Sequence, residues 1–433
     1  MQSRHLRLAL LIGGTAALLT SQAHAGGFAV REQSAYGMGS AYAGIAAGGA
    51  LSAMFWNPAT MTQMPGLSFE GDFAGIFPYA AQTPTSGTLA ALGGTGNTAE
   101  SALVPSFYAS YQLNPDVWLG MSFNAPYGLS VTFPNAWAGR NYSGNTSLRT
   151  YNATPSIAWR INDWISVGFG IQMQYGQAGL TQGVTLPGPT LLSSSIGGDG
   201  WGWGVTAGVT LTPVKGTTIG LGWRSQMDQK IDGTLNTAVP FSTPGPVSTT
   251  LRLPDTVSLG VRQVLSPQWT LLGTVEWANW SRIGTSDVNS GGGPALVGGS
   301  PVAIHFNYRD GWLFSLGAEY QWTPTIAVRG GIGYEITPIS DDVRIPLLPD
   351  NDRFWLSAGL TTAITDTLKL DIAYSHLFVR GTNIAVAPGN PSFNPALGTY
   401  FGTVASHIDI VTVALRWSLW EPPKTAHTVL PTK

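Results

Sequence analysis

His305, His376 and His407 are the side chains in the body of the chain best suited to proton transfer, and beside a serine they could support ester hydrolysis. Their surroundings argue for a plainer role at strand ends. No serine stands in Gly-x-Ser-x-Gly, the elbow that exposes a nucleophile. No His-Glu-x-x-His or other metal-ligand spacing occurs, and the chain has no cysteine. Gly202-Trp203-Gly204 with Ala207 has the look of a dinucleotide-binding turn, but it lies in an alternating stretch with no helix after it. No cofactor is expected. The other chemistry-bearing residues are charges set singly among apolar ones: Arg160, Arg224, Arg252, Arg262, Glu276, Glu319, Arg329, Arg353, Lys369, Asp371 and Arg416.

The elements that must position those charges read as strands. Ile165, Val167, Phe169, Ile171, Met173 and Tyr175 interleave with Ser166, Gly168, Gly170, Gln172 and Gln174, and comparable segments run over 201–211 and 314–322. Successive strand side chains point to opposite faces, so each segment has one apolar and one polar or small face. A soluble sandwich would share that pattern. The connections separate the two readings. Six tight turns, near Asn114, Asn162, Val214, Pro267, Pro324 and Asp366, alternate with seven long Gly/Pro/Ser/Asn-rich stretches near 81–101, 127–146, 177–199, 232–248, 284–302, 336–350 and 381–405. Short turns at one end and long loops at the other mark an outer-membrane barrel. The expectation is an all-β transmembrane antiparallel β-barrel of about 14 strands. The charges named above fall off the apolar parity, so they should line the lumen. Trp118, Trp164, Trp269 and Trp322, close to tight turns, should form an aromatic girdle.

Composition agrees. Charged residues make up 10% of the chain, against roughly 25% for an ordinary soluble domain. A net charge of -2 gives no case for nucleic-acid binding. Arg4 and Arg7, the apolar run Leu8 to Leu19 and Ala23-His24-Ala25 have the layout of a secretory signal peptide over 1–25. No other apolar stretch reaches the roughly 20 residues that a spanning helix needs.

The segment from Phe28 to Pro65 fits no strand: it is crowded with small residues and breaks at Asn57-Pro58. Its Glu32-Gln33-Ser34 start, Gly37-Met38-Gly39, Ala43-Gly44 and the run Phe55 to Ala59 resemble the N-terminal hatch of FadL-type outer-membrane transporters of long-chain fatty acids and hydrocarbons. Asn124 to Leu129, Trp137 to Arg140, Leu253 to Thr256, Phe306 to Trp312 and Ile345 to Trp355 resemble further landmarks of that family. The resemblance implies a hatch over 26–65 inside a barrel over 66–420, followed by a tail over 421–433. It also implies a kinked third strand that opens the wall sideways. The residues agree: alternation stops after Phe123, and Pro126 has no N–H for the ladder.

The expected function is passive, gradient-driven uptake of a hydrophobic small molecule by a monomer in the outer membrane, in contact with its lipid and lipopolysaccharide. Leu180, Val184, Leu186, Leu191, Leu192 and Ile196 are expected to form part of a docking groove. The exit is expected near Asn124, Pro126 and Gly128, gated by Asn57, Pro58 and Ala59, with Phe28 at the head of the hatch. Alternatives are a lipase- or phospholipase-like barrel and a structural barrel.

Overall fold

The computed structural model describes residues 26–185 and 191–420; the signal segment, Leu186 and the tail lie outside them. Fourteen antiparallel strands close into a barrel. They are β1 (Leu67–Gly87), β2 (Ala102–Asn114), β3 (Val117–Asn124 and Gly128–Val131), β4 (Thr146–Arg160), β5 (Ile165–Thr185), β6 (Leu191–Val214) and β7 (Thr217–Arg224 and Met227–Thr237). They continue with β8 (Gly245–Leu253 and Thr256–Val264), β9 (Trp269–Ala278), β10 (Gly311–Gln321), β11 (Ile326–Ile336), β12 (Arg353–Ala363), β13 (Leu368–Val379 and Thr382–Val386) and β14 (Tyr400–Trp420). Pairing of β14 with β1, from Leu67↔Trp420 to Gly87↔Tyr400, closes the ring and leaves no edge.

Outside, the band is apolar: Phe69, Phe73 and Phe77 of β1, Phe169 and Ile171 of β5, and Phe314 and Leu316 of β10 are all exposed. Trp164, Trp269 and Trp322 stand outward near the tight turns, as a girdle requires. Trp118 does not. It is fully buried, and its indole N–H donates to the Met64 carbonyl at 2.8 Å. Alternation through Leu119, Met121 and Phe123 places it on the inward face.

Several strands run on above this band, through stretches expected to be loops. The 177–199 stretch is mostly the paired ends of β5 and β6, from Gln177↔Asp199 to Thr185↔Leu191. In water the preference of the two faces inverts. In the upper piece of β7, Asp228, Lys230 and Asp232 face out while Met227, Ile231 and Leu235 are buried. In β8, Leu251 and Leu253 are buried, and Arg252 between them points outward rather than into the lumen. The parity changes across the breaks at 225–226 and 254–255.

Residues 26–64 fill the lumen as a plug of short turns: Ala35–Met38, Ile45–Ala47, Leu51–Phe55 and Pro58–Gln63. Two are capped by side chains. The Ser34 hydroxyl accepts from the Gly37 N–H, and the Asn57 carbonyl oxygen accepts from Ala59 N–H, both at 3.0 Å. The wall meets the plug with glycine. A β-carbon on Gly220 or Gly222 of β7 would sit 1.9 Å from the carbonyl oxygen of Ala46 or Trp56. Gly222→Val is therefore expected to unseat the plug, at about 1–3 kcal/mol or more for overpacking. A rise in single-channel conductance in planar bilayers would show it; unchanged conductance would refute it.

Candidate functional site

Charge fixes the plug within the lumen. The Tyr36 ring lies under the guanidiniums of Arg329, Arg416 and Arg262, at 4.0, 5.1 and 5.7 Å. Its hydroxyl donates to Glu319 at 3.0 Å. Arg329 pairs with Glu319 and Asp371, and Arg416 pairs with Asp371 and donates to the Gly49 carbonyl. These luminal charges thus pair with one another and with the plug, in a setting where removing one partner would leave an uncompensated charge.

Nearer the outer side, the wall itself is incomplete. The β2–β3 ladder ends at Phe107↔Phe123, and pairing resumes only at the Ala99↔Val131 bridge. Between them Ala125, Pro126 and Tyr127 interrupt β3, and Pro126 brings no N–H to the ladder. The plug supplies what is missing. Val30 N–H donates to the Pro126 carbonyl at 2.8 Å, and Gly128 N–H donates to the Phe28 carbonyl at 2.9 Å. Gln33, fully buried, stitches the two sides. Its amide donates to the Ala125 carbonyl at 3.0 Å and accepts from Ser106 of β2 at 2.7 Å and Asn124 of β3 at 3.2 Å. Its own carbonyl accepts from the Tyr108 hydroxyl at 2.6 Å. Displacing residues 28–33 would therefore leave the gap without these cross-links.

Beside the gap lie two cavities divided by an aromatic cluster. The Phe28 ring centroid is 4.8 Å from Trp280, 6.0 Å from Phe306 and 6.2 Å from Tyr127. The outer cavity, of about 120 Å³, is lined by Phe28, Leu129, Leu148, Leu180, Ile196, Leu251 and Phe306. The inner one, of about 60 Å³, is lined by Val30, Phe55, Trp56, Pro126, Tyr127 and Trp280 with Arg31, Arg224 and Glu276. Arg31 is neutralised by Glu276 and Glu335. Arg224 is different. It donates to the Phe55 carbonyl at 3.0 Å and to Gln172, and lies 4.1 Å over the Phe55 ring. Among the described residues it has no carboxylate within salt-bridge distance. A largely apolar slot ending at a guanidinium with no paired carboxylate can hold an alkyl chain with an anionic head.

The structure brings Phe28, Asn124, Pro126 and Gly128 together at the gap. Asn57, Pro58 and Ala59 lie elsewhere, on the wall of β5 to β7. Asn57 donates to the Ala46 and Val209 carbonyls at 2.8 and 2.9 Å. Glycine again allows the approach, since a β-carbon on Gly168 would sit 2.3 Å from Ala59 N. That geometry anchors the plug. Leu180 and Ile196 line the outer cavity, Leu191 begins β6, and the Leu192 carbonyl accepts from Arg140 at 3.1 Å. Gln33 and Arg224 are candidate positions that sequence reasoning missed. Gln33 carries only a motif signal, and Arg224 looks like any other luminal charge until its partners are counted. The three histidines make no hydrogen bond to a serine hydroxyl among the described residues; His305 lies 3.2 Å from the Thr285 hydroxyl.

The family described as outer membrane protein transport protein (OMPP1/FadL/TodX) matches residues 16–412. A long-chain fatty acid transport protein of Escherichia coli O6:H1 is 28% identical over 405 residues, covering 83% of this chain and 89% of that protein. The outer membrane protein P1 of Haemophilus influenzae is 25% identical over 417 residues, covering 84% and 88%. Among solved structures, a Pseudomonas aeruginosa FadL homologue superposes with a TM-score of 0.81 at 22% identity, covering 91% of this chain and 99% of its own. The Pseudomonas putida toluene transporter TodX gives 0.64 at 14% identity, covering 86% and 94%. These superpositions concern the fold.

Proposed function

Since the chain belongs to the OMPP1/FadL/TodX family of outer membrane transport proteins, we propose that its cargo is a long-chain fatty acid. One observation carries this reading: the half-buried Arg224, without a paired carboxylate, at the end of the inner cavity. An acyl chain contributes about 0.8 kcal/mol per buried CH₂, so the part of it that enters the two cavities is held without metal or nucleotide. Capture falls to the apolar rim of β5 and β6. The cargo then passes the Phe28 cluster, residues 28–33 move, and it leaves through the β2–β3 gap into the bilayer. That exit spares an alkyl chain from crossing water. Residues 1–25 serve as the export signal, and the barrel works as a monomer among outer-membrane lipid and lipopolysaccharide.

Binding assays with palmitate and with toluene test the reading. Arg224→Met is expected to weaken palmitate about 10–100-fold, the worth of a charged hydrogen bond, and to leave toluene unchanged. Equal loss for both would make Arg224 a packing residue. A monoaromatic hydrocarbon is the second reading, favoured by the ring cluster around Phe28. Tighter binding of toluene than palmitate by the unaltered protein would select it.

A further inference from the structure

The lipid-facing wall of β13, β14 and β1 carries an ionisable cluster that transport does not use. Across the strands, one outward row reads Leu356, His376, Asp409, Phe77, and the row above it reads Phe354, Phe378, His407, Tyr79. Phe77, Leu356, Phe354 and Phe378 are exposed members of the apolar band. A carboxylate and two imidazoles thus stand where neighbouring strands place phenylalanine and leucine. Ionisable groups on a lipid face are costly, and in a membrane wall they mark a functional site by default.

The cluster is ordered. His376 Nδ1 lies 2.8 Å from Asp409 Oδ1, which also accepts from the Tyr374 hydroxyl at 2.6 Å. The His407 ring stacks on Tyr79 at 5.2 Å and lies 5.9 Å from His376. Among the described residues, His376 Nε2 and both nitrogens of His407 make no hydrogen bond to protein. Arg380, exposed two residues beyond Phe378 on the same face, adds a fixed positive charge. From β12 the neighbours are the apolar Phe354 and Leu356; Asp352 beyond them takes the Tyr334 hydroxyl. From β1 the one titratable neighbour is Tyr79. Asp409 and the two imidazoles together run from one negative charge, with both rings neutral, to one positive charge with both protonated. Arg380 adds one positive charge, offset by Asp352 across the strand pair, whose carbonyl takes the Arg380 N–H at 2.9 Å.

We propose that His376, His407 and Arg380 form a pH-dependent site for the phosphate monoester of an outer-leaflet lipid headgroup. The position selects a lipid, because the cluster stands on the wall at the outer rim of the apolar band. The unpaired donors, and the positive balance reached with both rings protonated, select an anion. Two imidazoles and a guanidinium offer donors for several phosphate oxygens at once. Each ring that gains a proton adds an N–H donor and a positive charge to the site.

Equilibrium binding to the full-length protein in phosphatidylcholine nanodiscs tests this, at about pH 5.5 and about pH 8. The probes are diphosphoryl lipid A, dephosphorylated lipid A and inorganic phosphate. Diphosphoryl lipid A is expected to bind about tenfold more tightly at the lower pH, corresponding to one protonation. The dephosphorylated form should show no such dependence. In a His376→Gln/His407→Gln variant the dependence should vanish, while Arg380→Gln should weaken binding at both pH values. Retained heat-modifiable mobility on gels confirms that each variant is folded. Equal binding of the two lipids, or pH-independent binding by the unaltered protein, overturns the proposal. Saturation by inorganic phosphate at the same concentrations would assign the site to a free anion and overturn the lipid.

Discussion

An Ala29→Cys/Tyr127→Cys protein is expected to bind cargo equally well oxidised and reduced, to transport none while oxidised, and to regain uptake on reduction. Ala29 and Tyr127 face each other across the bridge between plug and third strand. The flanking bonds, Val30 to Pro126 and Gly128 to Phe28, make them a non-hydrogen-bonded pair, for which Cα atoms lie about 4.5 Å apart. Disulfides accept Cα separations of about 4.4–6.8 Å, and the chain has no other cysteine to mispair. The bond would hold residues 28–33 in the gap and keep the Gln33 cross-links in place. Uptake of radiolabelled fatty acid should fall to background, with surface binding retained. Undiminished uptake by the oxidised protein would exclude a lateral exit at this gap. Each single variant reports what the lost side chain alone does.

The second large effect concerns acidity. Glu32, in the plug, is buried with both carboxyl oxygens unpartnered, and burial pushes its pKa up to about 7. A carboxyl whose pKa is raised on folding binds its proton more readily in the seated state. The stabilisation is therefore complete below the unfolded value of about 4.5 and declines as pH climbs toward 7, beyond which nothing further is lost. The change is on the order of 3 kcal/mol. Between about pH 5 and about pH 8, amide exchange at residues 28–33 should accelerate by roughly two orders of magnitude beyond its intrinsic rise with pH. Glu32→Gln should abolish the excess. A pH-independent opening equilibrium in the unaltered protein would show that Glu32 does not hold the plug.

Strand number and turn positions were open to sequence reasoning because lipid imposes a strict period of two and forbids unpaired backbone. Above the membrane that constraint reverses. Asp228, Lys230 and Asp232 turn outward, the interior becomes apolar, and glycine- and serine-rich runs such as 191–200 pair as strands while reading as loops. Arg252 was misassigned for the same reason, since the parity changes at Pro254 and Asp255. Trp118 was misassigned by its nearness to a turn, although its parity already placed it inward. Gln33 stayed hidden because its role depends on Ser106 and Asn124, which only the closed barrel brings to it.

The plug's contacts span almost the whole chain, and this bears on biogenesis. Gly49 is held by Arg416, 367 residues away, and Tyr36 by Arg262, 226 residues away. Such contact order is slow to satisfy, because loop-closure entropy precedes any reward. The plug is synthesised ahead of every strand, yet its seat is finished only when β14 joins β1. Folding should therefore pass through a populated intermediate in which the segment is still exposed to periplasmic chaperones. The arrival of the last strand then sets the moment at which the outer membrane is sealed.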